Sequence, residues 1–174
     1  MVRLVRKSLS SFAAPIALAL AGLACNSPAS PAPSAEVAAS SSAHAPAGKL
    51  RVVEAPASGS VEAAVRDALA GARAESRTLV VYVGATWCEP CQAFHRAAAR
   101  GDLDAAFPHM TLLAFDLDRD RERLASAGYV SKYIPLFALP GPDGAASGKQ
   151  IEGGIKGDGV IGYLSGRLTA MLSE

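Results

Sequence analysis

Charge of either sign in excess is missing from this chain. Lysine and arginine number 17 against 16 aspartate and glutamate, a net of +1, and no long run of like charge occurs. Nucleic-acid binding, which needs a basic footprint for the phosphates, is therefore set aside. Aromatic residues are scarce at 6%, but half the residues are apolar, enough to build a core in a 174-residue chain with room for one ordinary domain and extras. No internal repeat is present. The apolar run Phe12–Ala24 contains Pro15 and falls short of the about 20 residues that span a bilayer. Cysteine is limited to three residues, so no second cysteine pair exists to complete a tetrahedral zinc site. The pair that does exist, Cys88 and Cys91, is followed by Gln92 and not by the histidine that haem attachment requires.

What is there begins with an export signal. Arg3, Arg6 and Lys7 form a basic n-region ahead of the short apolar run, which favours a signal peptide over a permanent helix. The run ends at "AGLAC", where small residues before Cys25 resemble the lipobox of bacterial lipoproteins. That resemblance implies a lipidated Cys25 at the mature N-terminus. Gly22 stands where such boxes usually carry leucine, and cleavage after Ala21 in an Ala-x-Ala pattern is the competing reading. Asn26 to Gly48 holds eighteen alanines, serines and prolines in 23 residues. Such a composition buries too little apolar surface to fold and reads as a disordered tether spanning roughly 25–30 Å as a coil. The organisation expected is a signal over 1–24, a lipobox cysteine and linker over 25–48, and a folded domain over 49–174.

In the folded part, "LRVVE" (Leu50–Glu54) is β-prone, and Ser60 is placed to cap a helix with Val61, Ala64, Val65, Ala68, Leu69 and Ala72 on one face. "TLVVYVG" (Thr78–Gly84) and "MTLLAFDLD" (Met110–Asp118) read as buried strands. A helix follows the cysteine pair as far as Gly101, and a short charged helix runs from Arg119 to Ala127. "YIPLFAL" is a strand, "GPDG" a turn, and "GKQIEGGI" the returning strand. Asp158 is placed to cap a last helix that aligns Ile161, Leu164, Leu168 and Met171 or Leu172. The order β-α-β-α-β-α-β-β-α implies a mixed sheet with helices on both faces, a three-layer α/β/α sandwich.

The chemistry concentrates in "GATWCEPCQAFH", Gly84 to His95. A strand ending at Gly84 and a helix starting near Cys88 put that sulfur at a helix N-terminus. Unpaired N–H groups and the positive end of the dipole stabilise a thiolate there. Pro90 suits the first turn, where its missing N–H costs nothing. Cys91, one turn on and less exposed, is in reach for a disulfide. Cys88 is then the attacking sulfur and Cys91 the resolving one, the asymmetry that thiol–disulfide exchange needs.

"ATWCEPC" after a buried strand, with "YIP" about 45 residues later, resembles the thioredoxin superfamily over roughly Leu50 to Leu172. The resemblance implies a thioredoxin-like fold, a redox-active Cys88/Cys91 couple and a cis Ile134–Pro135 bond facing the cysteines. Trp87, Glu89, Pro90, Ile134 and Pro135 would shape and tune the site, and "GGIKGDG" is similar to the family's glycine turn before the last helix. The anchor and the "CEPC" spelling resemble membrane-tethered bacterial thiol-disulfide carriers. This implies a monomer on the periplasmic face, protein dithiols or disulfides as partners, a membrane electron donor and no organic cofactor. Two departures stand out. Cytoplasmic thioredoxins carry a buried aspartate six residues before the first cysteine, where this chain has Tyr82, a poor base at neutral pH. Their lysine on the next central strand is also missing. Either proton handling differs, with Glu89 the candidate to take it over, or turnover by general thioredoxin chemistry is slow. A carboxylate at Glu89 either disfavours the Cys88 thiolate, which pushes the couple toward the reducing end, or points into water. Leu136, after the proline, implies a more apolar groove.

Other readings stay open. Cys88, Cys91 and His95 offer two thiolates and an imidazole on one helix, a soft set suited to Cu(I) or zinc, with His109 and His44 as more distant candidates. His95 is otherwise an exposed helix residue. A structural disulfide or a non-catalytic interaction domain would use the same fold. Trp87 reads as a lid beside the cysteines, Asp116 and Asp118 as solvated loop charges, and Tyr129 and Tyr133 as packing near the Pro135 loop.

Overall fold

Two strands, β2 (Thr78–Gly84) and β3 (Met110–Asp116), are apolar at nearly every position because both of their faces are covered. Val80 and Tyr82 of β2, with Leu112 and Ala114 of β3, enter one core; Leu79, Val81, Val83, Leu113 and Phe115 enter another on the opposite face. The computed structural model describes residues 48–174. The export signal, Cys25, His44 and nearly all of the Ala/Ser/Pro tether lie outside the described residues.

The remaining elements are β1 (Arg51–Glu54), α1 (Val61–Ala74), α2 (Glu89–Arg100), α3 (Leu117–Ser126), β4 (Leu136–Pro140), β5 (Ala146–Glu152) and α4 (Val160–Ser173). The sheet runs β1-β3-β2-β4-β5. The β1, β3 and β2 strands are parallel, and β4 and β5 are antiparallel to their neighbours. Helices α2 and α4 bury Phe94, Ala97, Leu164 and Leu168 in the first core, and α1 and α3 bury Val61, Val65 and Leu124 in the second. The expected α/β/α sandwich with a mixed sheet is therefore the architecture observed. Among the described residues no helix is long and apolar enough to cross a membrane.

Boundaries moved for identifiable reasons. The expected strand through Asp118 ends at Asp116, whose carboxylate accepts the N–H groups of Asp118 and Arg119 and so caps α3 two residues earlier than expected. Asp158 does not cap α4; Gly159 holds that position without a side-chain bond. The strand expected from Tyr133 begins at Leu136, and its partner begins at Ala146. Ser60 does cap α1, accepting from the Ala63 N–H at 3.2 Å.

One buried charge organises the start of α3. Asp120 is fully buried, paired to Arg119 at 2.8 Å and to Arg123 at 2.9 Å, and accepts the Asp116 N–H at 3.1 Å. Arg123 also donates to the Pro56 and Gly59 carbonyls, tying α3 to the segment before α1. Burial opposes the Asp120 charge, but hydrogen bonds from Arg119, Arg123 and the Asp116 amide prevail and hold its carboxyl below the ordinary aspartate value.

Candidate active site

The parallel strand β2 delivers the chain to the carboxyl edge of the sheet, and the loop Ala85–Trp87 turns it into α2. Cys88 is the N-cap of that helix, with Pro90 in its first turn. The Cys91 N–H donates to the Cys88 sulfur at 3.3 Å. The two cysteines form a disulfide, with their Cα atoms 5.2 Å apart. Cys88 is 5% exposed and Cys91 1%, so of the two sulfur-bearing residues the first is the more accessible. Once the bond is reduced, the Cys91 N–H and the end of the helix dipole would stabilise negative charge on Cys88.

Cys88 opens on a groove of about 570 Å³ that Trp87, Glu89, Pro90, Tyr133 and Ile134 also line. The Ile134–Pro135 peptide is cis. Ile134 borders the groove, while Pro135 is buried and its carbonyl accepts the Gly153 N–H at 2.9 Å. The glycine turn before α4 closes the other side. A Cβ on Gly154 would lie 2.9 Å from Pro90 Cβ, so only glycine lets this backbone approach the active-site helix so closely without a shift.

Several expectations are corrected here. Trp87 is not packed down as a lid: it is 63% exposed, and its indole N–H donates to Asp118 at 2.8 Å. Asp116 and Asp118 are thus a helix cap and an indole acceptor, not free loop charges. Tyr133 lines the groove, but Tyr129 is buried in the core on the α1/α3 face and donates to the Gly144 carbonyl. Leu136 likewise points into that opposite core and makes no groove wall, because side chains alternate along β4. Glu89 is exposed, as one of the two expectations had it, but has partners. It accepts the Gly157 N–H at 3.3 Å and lies 3.9 Å from Lys156 Nζ.

His95 is half-buried and not an exposed helix residue; its ring meets Tyr82 edge-on at 4.9 Å between centroids. Among the described residues no three His, Cys, Asp or Glu side chains come together as a metal-holding set, with Cys88 and Cys91 joined as a disulfide. Tyr82 stacks with Phe94 and packs against Phe137 in the same core as Cys91. Burial, reinforced by the charge of Glu54, pushes its phenol well above the ordinary tyrosine range, so it stays protonated at neutral pH. Its hydroxyl is buried without a hydrogen-bond partner among the described residues and sits so close to Gly84 that a Cβ there would lie 2.4 Å away. Replacing Tyr82 with phenylalanine removes an unsatisfied polar atom and is expected to raise unfolding stability by about 1 kcal/mol. The exchange rate should be unaffected, since a protonated phenol accepts no proton. Denaturant unfolding and a disulfide-exchange assay check both.

This strand order, with a disulfide-forming Cys-x-x-Cys pair at the head of the helix after β2, defines a thioredoxin-like α/β fold. Residues 60–142 match the model of a family described as thioredoxin-like. No curated protein sequence matches the chain. Similar solved structures include a thioredoxin h from poplar, 21% identical over 73% of this chain and 99% of that one, with a TM-score of 0.47. A thioredoxin from Trypanosoma brucei brucei is 22% identical, covering 70% and 88%, with a TM-score of 0.39. Thioredoxin f from spinach chloroplast is 17% identical, covering 73% and 87%, with a TM-score of 0.43.

Proposed function

We propose that this chain is an extracytoplasmic thiol-disulfide oxidoreductase, lipid-anchored through Cys25, that reduces disulfides in partner proteins. The observation that carries the exchange chemistry is the placement of Cys88: N-cap of α2, bonded to Cys91 and bordering an open groove. Starting from the dithiol, the Cys88 thiolate attacks one sulfur of a substrate disulfide. The other substrate sulfur leaves as a thiolate and takes up a proton. The Cys91 thiolate then attacks Cys88, breaks the mixed disulfide and releases the second substrate thiol. Two electrons and two protons have moved to the substrate, and the protein holds the Cys88–Cys91 disulfide until a membrane-bound dithiol donor reduces it.

The reducing direction is supported by Glu89, adjacent in the chain to Cys88: its carboxylate disfavours the thiolate, an effect that Lys156 at 3.9 Å partly offsets. The anchor and the export route rest on the basic n-region, the short apolar run and "AGLAC".

Equilibrating the couple with glutathione of known poise tests the direction. A reduction potential near the thioredoxin value of about −270 mV is expected; a value near about −120 mV would make the protein an oxidant instead.

A further inference from the structure

Three cations from separate segments ring the groove beside Cys88: Arg121 on α3, Lys132 in the loop before Pro135, and Lys156 in the loop before α4. Against them the groove lining offers one carboxylate, Glu89, at 3.9 Å from Lys156. Among the described residues Arg121 and Lys132 have no ion-pair partner. Two further acids stand beside the lining, each held by neutral N–H donors and still charged. Asp118 accepts the Trp87 indole, and Glu152 accepts the backbone N–H groups of Lys132 and Tyr133. The Lys132 ammonium stands 5.3 Å over the Tyr133 ring and keeps its charge beside the groove wall. The whole chain is nearly neutral at +1, so the grouping of three cations in one groove lining comes from folding and not from composition. Between the cations lie two large exposed aromatic surfaces, Trp87 at 63% and Tyr133 at 57%.

We infer that the groove selects disulfide-bearing segments with acidic side chains flanking an apolar one: the apolar group lies against Trp87 and Tyr133, and the carboxylates meet Arg121, Lys132 and Lys156. This rests on the exchange reading above and names the substrate class of that same site. Rim charges of this kind act mainly on encounter and partner choice, and salt screens them over about 8 Å at physiological ionic strength.

The test is a single-turnover reaction of the pre-reduced full chain with three cyclic peptides. Each carries one intramolecular disulfide and one leucine, and they are flanked by two aspartates, two serines or two lysines. One protein dithiol is consumed per peptide disulfide, so no further reductant enters. Trp87, the only tryptophan, reports oxidation by its fluorescence, and titration of the released peptide thiols gives an independent rate. At low salt the acidic peptide is expected to react on the order of tenfold faster than the basic one, with the ratio shrinking toward one as salt is raised. In a Lys132→Glu/Lys156→Glu variant the ratio should invert, and Arg121→Glu alone should lower it. Because each ratio is taken within one variant, changes in the couple itself cancel. Equal rates for all three peptides in the unaltered chain would overturn the acidic preference and leave the exchange reading standing. Failure to reduce any peptide, or a small neutral disulfide, would overturn the exchange reading and the preference with it. A concentration-dependent dimer dissolved by the charge reversals would assign the groove to a second copy and overturn the peptide reading.

Discussion

Replacing Cys91 with serine is expected to turn transient contacts of this protein into stable mixed disulfides. Cys88 keeps its place at the N-cap of α2, bordering the groove, and still attacks a substrate disulfide. What is lost is the intramolecular sulfur, whose Cα lies 5.2 Å from that of Cys88. Release then depends on outside thiols, and losing a well-oriented internal group slows a step by several orders of magnitude. Non-reducing electrophoresis of cells expressing Cys91→Ser should show high-mass adducts that dithiothreitol collapses, absent when Cys88 is also replaced by serine. If the anchor reading holds, the adducts sediment with membranes, and Cys25→Ser moves them into the soluble fraction. A folded Cys91→Ser protein that yields no reducible adduct would remove the case for protein disulfide exchange.

The largest effect on stability is expected at Asp120. Its carboxylate is fully buried and bonded to Arg119, Arg123 and the Asp116 N–H. The substitution Asp120→Asn would keep an acceptor oxygen but leave the two guanidinium groups without their counter-charge. Breaking a buried pair from one side costs about 3–5 kcal/mol. Arg119 is partly solvated, its side chain 42% exposed, which places the expectation near the lower end, at about 3 kcal/mol. That is a large share of the roughly 5–15 kcal/mol typical of a domain. The pH dependence has a defined sign. The folded carboxyl is held below its unfolded value of about 3.9, so its contribution is complete above about pH 4 and is lost as pH falls through the lowered folded value. The gap between wild type and Asp120→Asn should therefore be widest at neutral pH and close in strong acid. Urea unfolding at neutral pH and in acid decides it; a gap below about 1 kcal/mol at neutral pH would show that the pair contributes little, and one that does not narrow in acid would show that the carboxylate charge is not its source.

The alternation of apolar runs with amphipathic stretches was sufficient to read the nine elements of the described residues in order. Helix and strand periodicities are local properties, and both faces of β2 and β3 are buried, which leaves an unbroken apolar signature in "TLVVYVG" and "TLLAF". The couple was legible for the same reason: a strand, two cysteines with Pro90 between them and a helix are contiguous in the chain. Local signals failed where a residue's role depends on a distant partner. Asp118 read as a loop charge because the Trp87 indole 31 residues away cannot be seen in "FDLDRD"; the Asp116 cap, by contrast, is made to N–H groups two and three residues on. His95 read as exposed because helical spacing does not reveal that Tyr82 of β2 lies against it.

By itself, then, the sequence determined the layer architecture, the cysteine pair at the head of α2, and the absence of the aspartate that cytoplasmic thioredoxins keep at the position of Tyr82. Only the tertiary structure decided what surrounds them. Asp120 is buried although it sits in a run of six charged residues, Asp118–Arg123. His95 lies against Tyr82 of β2, and Arg121, Lys132 and Lys156 gather around one groove. All three outcomes depend on contacts between segments far apart in the chain. Periodicity records which face of an element is apolar; which charges meet on the polar side is set by how the elements pack.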